Sequence, residues 1–181
     1  FSTDDGFVDT AYFELQVREQ AENVPQGPDG YGYICFDDTD RDWDVAPAYE
    51  WIEISPEDDN WDYRGTEIEL DRSPPQDIGD AVVIDLGFRT SFYGNDYEQI
   101  TVATNGFICP GDQGNIVNFQ NWPLDRGIGG GAGMIAPFWD WLDFSGESGV
   151  YYFHDEENSL GIVEWYKMEH HSGRTELTFQ V

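Results

Sequence analysis

Apolar and polar residues alternate in short runs along much of this 181-residue chain, the period-two mark of strands with one buried face. Phe13, Leu15 and Val17 alternate with Glu14, Gln16 and Arg18, after which Pro25-Gln26-Gly27-Pro28-Asp29-Gly30 breaks the chain. Runs rich in aromatic and β-branched residues then predict strands at 31–36, 49–54, 66–70, 81–86, 88–93 and 99–104, with further strands from Met134, Val150, Leu160 and Thr175. Ser73-Pro74-Pro75 reads as a turn and Gly94-Asn95-Asp96 as a hairpin connection. The stretch 110–133 is loop-rich and ends in a glycine run from Gly127 to Gly133. Helical periodicity of useful length is absent. The pattern predicts an all-β chain, an antiparallel β-sandwich of about ten strands with long acidic and Gly-rich loops.

The proline-glycine break divides this prediction. Residues 1–24 read as a leading strand and linker that could close this domain's own sheet, with the break favouring a strand taken from a preceding domain or used for strand exchange with another copy. Residues 25–181 read as the sandwich, and its last alternating run, Thr175 to Val181, stops in mid-strand, so the native polypeptide is expected to continue.

Composition sharpens the picture. Hydrophobic residues make up 39% and aromatic residues 16%, so burial relies heavily on rings. No run approaches the roughly 18 apolar residues a membrane helix needs. The chain carries 37 acids against eight bases, a net charge of −29. Phosphate binding requires basic stripes that this chain lacks, which argues against nucleic acid, and an anionic membrane surface would repel it. Calcium, a saline milieu or a cationic partner would offset the self-repulsion; a solvated acidic surface that keeps a secreted protein soluble is the plainer account. Cys35 and Cys109 each follow an isoleucine at the end of an aromatic strand, so both are expected to face a core. Spacing leaves a disulfide and two free buried thiols equally open.

The strongest metal candidate is the run Asp37-Asp38-Thr39-Asp40-Arg41-Asp42-Trp43-Asp44. Asp38, Asp40 and Asp42 match the first ligand spacings of an EF-hand loop, but Trp43 stands where glycine is needed and Tyr49 where the bidentate Glu belongs. An EF-hand is rejected. A loop-borne calcium site using Asp37, Asp38, Asp40, Asp42 and Asp44 is set against a solvated acidic turn. Asp140 and Asp143 form a second carboxylate pair, read as a cation ligand set or as turn chemistry in which Asp bonds its own backbone. His170 and His171, adjacent on a strand, would point to opposite faces and could not share one ion with His154; a turn helped by Ser172-Gly173 is favoured. Trp43, Trp61 and Tyr63 lie in acidic loops where exposed rings could stack on a glycan, whereas Trp51, Trp139 and Trp165 sit in strand patterns and are expected in the core. Paired carboxylates would suit a glycosidase, but with so many acids some pair meets any spacing by chance. There is no G-x-S-x-G elbow, no peptidase Cys/His block and no phosphate loop.

Certain blocks, in order, carry a resemblance. They are Thr101-Val102-Ala103-Thr104-Asn105-Gly106-Phe107-Ile108, Gly133-Met134-Ile135-Ala136-Pro137-Phe138-Trp139-Asp140-Trp141-Leu142-Asp143, Gly149-Val150-Tyr151-Tyr152, Ile162-Val163-Glu164-Trp165 and Leu177-Thr178-Phe179-Gln180-Val181. Together they resemble the extracellular nidogen-like domain. They are also similar to a β-sandwich module of very large secreted bacterial surface proteins, some of which carry gingipain-type peptidase domains. Such likeness covers roughly the last 100 residues, and the surface-protein module extends it to about Tyr31. It implies an extracellular, non-catalytic module that displays, connects or adheres, with an Asp-rich segment near 37–44 and Asp140 as the acid after the Ala-Pro-Phe-Trp block. Trp141 after Asp140, and Gly161 inside a strand, depart from the family pattern. The expected work is structural display or adhesion with calcium-stiffened acidic loops. Expected partners are other domains or copies, adding strands into a fibre. A carbohydrate-binding module is the alternative and a hydrolase the third reading.

Overall fold

The computed structural model describes residues 24–56, 64–74, 78–120, 133–173 and 175–181. The chain divides into two compact units, 1–50 and 51–181, a division that falls later than the proline-glycine break. Among the described residues of the first unit there is a small loop closed by a bridge between Gln26 and Cys35. Asp29 organises it, its Oδ1 accepting from the amides of Tyr31, Gly32 and Tyr33 at 2.8–2.9 Å. The strand expected at 31–36 is therefore a turn with one bridge, because Asp29 draws those amides away from a ladder. The leading strand through Val17 lies outside the described residues.

The second unit is an antiparallel β-sandwich. Its strands are β1 (Thr66–Glu67), β2 (Ala81–Phe92), β3 (Asn95–Ala103), β4 (Phe107–Pro110), β5 (Leu142–Asp143), β6 (Gly149–Asp155), β7 (Leu160–His170) and β8 (Glu176–Gln180). No helix occurs among the described residues, and none is long and apolar enough to cross a membrane. One sheet runs β2-β3-β4; the other runs β1-β6-β7, with β5 and β8 also pairing to β7. The count is eight where about ten were expected. The runs 81–86 and 88–93 are one strand, bent by an irregularity between Asp85 and Thr90. Residues 49–54 form no strand, and Met134 leads only to a single bridge between Ile135 and Ile108.

Alternation places the core. Leu86, Ile100, Val102 and Ile108 of the first sheet meet Val150, Val163, Trp165 and Met168 of the second. Two polar tips span the sheets, Trp165 Nε1 donating to the Ala103 carbonyl at 2.9 Å and Tyr152 Oη to the Leu86 carbonyl at 2.6 Å. Trp165 and Met168 both face inward although three apart. A bulge between them, with Lys167 at φ +49°, restores the inward phase. Each sheet also has an apolar outer face. Ala103, Phe107, Cys109 and Trp139 cluster outside the three-stranded sheet, and Ile54, Tyr151, Ile162 and Tyr166 outside the other. Gly161 is required by packing, since a Cβ there would meet the Phe88 ring at 2.9 Å and the Tyr152 hydroxyl at 3.2 Å.

Candidate functional site

The segment that follows Pro137 is held at the sandwich edge by one buried side chain. Asn105, fully buried in the turn between β3 and β4, donates through Nδ2 to the carbonyls of Ile78 at 2.7 Å and Val117 at 3.0 Å. Its Oδ1 accepts from the Leu142 amide at 3.1 Å, and its carbonyl accepts from the Asp140 amide at 3.3 Å. The register Leu142↔His170 and Asp143↔Glu169 then brings the two predicted carboxylates to the end of β7. Asp140 Oδ2 lies 3.2 Å from His170 Nε2, and Asp143 Oδ2 lies 2.7 Å from His171 Nδ1. The Trp141 ring stacks on the His171 imidazole at 3.5 Å and 4°, and Phe119 lies against Trp141 at 4.4 Å.

The cluster consists of two separate carboxylate–imidazole pairs. Asp140 also makes the expected turn contact, Oδ1 accepting from the Trp141 amide at 2.7 Å. Ser172 Oγ sits 3.0 Å from His170 Nδ1, so Ser172, His170 and Asp140 stand in the order of a hydrolytic triad. The arrangement is nonetheless a turn. The Ser172 amide also points at His170 Nδ1, and the Gly173 amide donates to the His170 carbonyl, so neither N–H is left to stabilise an oxyanion. Among the described residues, no three His, Cys, Asp or Glu side chains form a group able to hold a metal ion.

In the acidic run the carboxylates do different work. Asp37 Oδ1 accepts from the Thr39 amide and hydroxyl, which holds its carboxyl below the usual range. Asp40, only 2% exposed, accepts the Asp37 amide on Oδ2 at 3.0 Å, while its Oδ1 is buried with no hydrogen-bond partner. Asp38, Asp42 and Asp44 are exposed. The loop is thus a tight turn around one buried carboxylate.

Cys35, in the first unit, and Cys109, in the second, each stand as a free thiol. Cys35 is exposed, contrary to the expectation that both face a core, because its segment is a turn. Cys109 is buried, and burial pushes its thiol up to about 11. Trp43 is 45% exposed as expected of a loop ring; Trp61 and Tyr63 lie outside the described residues. Trp139 and Trp165 are core, but Trp51 is 44% exposed, since its segment forms no strand.

Sequence reading missed one polar pair. Glu164 on β7 is fully buried on the outer face, between Ile162 and Tyr166 and opposite Tyr151 and Gln180. Glu53, on the segment before β1, lies close enough for its charge to act on Glu164. The available signal was an acid whose neighbours two residues away on either side, Ile162 and Tyr166, are both apolar.

An all-β module built of two antiparallel sheets is what this geometry defines. The chain belongs to the nidogen-related family: the family model described as NIDO related matches residues 57–181. Domains of that family are typically extracellular. Comparison with curated proteins and with solved structures finds no match.

Proposed function

We propose that this chain is a non-catalytic extracellular module of a secreted or cell-surface protein, serving display, adhesion and assembly. The observation that carries the reading is the family match over 57–181, which spans every strand of the sandwich. Its edges support an assembly role. β2 is twelve residues long and ends its sheet among the described residues, and an unpaired edge templates another strand. Beside it lies an apolar pocket of about 210 Å³ between the sheets, lined by Leu86, Phe88, Phe92, Ile108, Tyr152 and Val181 among others. The alternating face Phe13, Leu15 and Val17 of a second copy has the chemistry to fill such a groove in strand addition. Within this reading the acidic loop 37–44 takes calcium, supported by the unpartnered buried oxygen of Asp40.

Sedimentation of the full chain tests the assembly reading. Concentration-dependent self-association is expected in the native chain and its loss in the triple variant Phe13→Asp, Leu15→Asp, Val17→Asp, with the melting temperature of the sandwich unchanged. Identical sedimentation of the two chains, whether monomeric or associated, would remove strand addition from the proposal.

A further inference from the structure

Residues 51–56 form an extended strap over the outer face of the β6–β7 pair. Ile54, fully buried, packs on Tyr151, Ile162 and Tyr166, with Ile52 and Phe153 beside them. The strap is clasped from β8, where Gln180 Oε1 accepts from the Ile52 amide at 3.3 Å and Gln180 Nε2 donates to the Ile52 carbonyl at 3.1 Å. Its other end is tied by the Gly65 amide donating to the Ile54 carbonyl at 2.8 Å. Between these ties, Glu53 meets Glu164.

Two neighbouring carboxylates, one of them fully buried, repel each other when both are ionised, which drives one of this pair to hold a proton. The surrounding donors say which. Glu53 Oε1 accepts from the Ser55 hydroxyl at 2.6 Å and the Ser55 amide at 3.0 Å, and Oε2 accepts from Trp51 Nε1 at 2.9 Å. Every one of these contacts favours the charged form of Glu53. Glu164 Oε2 accepts from Gln180 Nε2 at 3.2 Å, but Oε1 is buried and unpartnered. A proton on that oxygen removes the cost of burying its charge without a partner and relieves the repulsion from Glu53.

We infer that Glu53 and Glu164 form a proton-dependent latch that holds the 51–56 strap against the sandwich, and that rising pH opens it to expose the apolar face of Tyr151, Ile162 and Tyr166. The electrostatics agree with the geometry. For Glu53, burial raises the pKa, but the hydrogen bonds from Ser55 and Trp51 outweigh it and hold the carboxyl below its usual range. Burial is the chief cause that pushes Glu164 up to about 7; the Ser55 hydrogen bond lowers it by less, and the charge of Glu53 raises it further against the Ile54 amide. The other groups around the latch are Tyr151 on β6, Gln180 on β8 and Tyr166 on β7. The nearby cations lie over rings, Lys167 over Tyr166 at 4.9 Å and Arg64 over Phe153 at 5.2 Å.

The sign follows from linkage. Between the ordinary Glu value of 4.5 and about 7, the folded state holds a proton that the unfolded state has released. The contribution of Glu164 is complete below that window and is lost as pH rises through it. Glu53 runs oppositely, contributing above the ordinary carboxylate range and losing that contribution in acid.

Amide hydrogen exchange of the full chain at pH 5.5 and 8.5, corrected for intrinsic rates, tests the latch. Protection over 51–56 is expected to fall by roughly 30-fold at the higher pH, through the 1.5 units between pH 5.5 and a pKa near 7 above which the loss is complete, while that of 160–170 holds. Glu164→Gln, permanently neutral, is expected to hold the strap at both pH values. Glu53→Gln removes the repulsion but leaves Glu164 buried and ionisable, so it is expected to reduce the fall without abolishing it, and either variant carries the test if the other fails to fold. Equal strap protection at both pH values in the native chain would overturn the inference, as would a loss undiminished in the variants.

Discussion

Asn105 does more for this fold than any of the charged residues that stand out in the sequence. Fully buried, it joins the Ile78 and Val117 carbonyls to the Leu142 amide, three segments with no ladder between them. Each buried group left unpaired costs about 1–3 kcal/mol. Asn105→Ala is therefore expected to lower unfolding free energy by at least about 3 kcal/mol in urea titration. Asn105→Asp, which keeps the acceptor for Leu142 but loses both donors, should recover only a fraction of that. A loss under about 1 kcal/mol for the alanine variant would show that the three segments are held by other means. The residue was in plain view, quoted within the block that suggested the family, yet nothing in a single sequence separates an Asn that caps a turn from one that bridges three backbones. The same limit hid Glu164, whose strand was legible and whose partner is 111 positions away on a segment that reads as a strand but is not one. Conversely, Asp140 and Asp143 read as a pair, and the structure gives each its own imidazole, because β7 ends at His170 and His171 already lies in the turn beyond it.

Strands that alternate cleanly and pair with a sequence neighbour were the most legible elements. β2 with β3, and β6 with β7, are hairpins whose turns carry their own signals. Tyr93 and Gly94 both take positive φ, the requirement of a tight type I′ connection between Phe92 and Asn95. Less legible were the two-residue strands β1 and β5, which exist because long neighbours offer a free edge and not because of their own pattern. The run 134–143 illustrates the difference. Its apolar residues predicted a strand, but it is spent on a bridge to Ile108 and on contacts to the Asn105–Gly106 turn. That turn admits only glycine at its second position. Gly106 sits at φ +77°, and a Cβ there would collide with the Phe138 carbonyl oxygen. Gly106→Ala should thus displace the 138–143 segment, costing more than the ~1 kcal/mol of an ordinary strained glycine site. A melting curve would register the loss, and the histidine resonances of His170 and His171 would shift because their carboxylates ride on that segment. Unchanged histidine shifts would mean the segment is placed independently of the turn.

At the scale of the molecule, 37 acids against eight bases must be tolerated by a structure whose described residues gather no metal-binding group of three. Two physical routes are open and they predict different titrations. Screening acts on all exposed charges at once, so it depends on ionic strength and not on the identity of the cation, with a reach of about 10 Å at 0.1 M salt. A specific calcium site in the 37–44 loop would act at far lower concentration, stabilising by about 2.7 kcal/mol once the free ion reaches 100 times its dissociation constant. Asp40 separates the two. Its buried, unpartnered Oδ1 is the one carboxylate oxygen of the loop whose desolvation a divalent ion would repay. Asp40→Asn keeps an acceptor for the Asp37 amide, so the turn survives, while the charge that would hold calcium is gone. In the proposed reading, millimolar calcium raises the melting temperature of the native chain in dilute buffer, chelator reverses it, and Asp40→Asn abolishes the response while retaining the rise produced by molar sodium chloride. If sodium chloride at matched ionic strength reproduces the whole calcium effect, or Asp40→Asn leaves that effect intact, the loop is a solvated acidic turn and the charge is managed by screening alone.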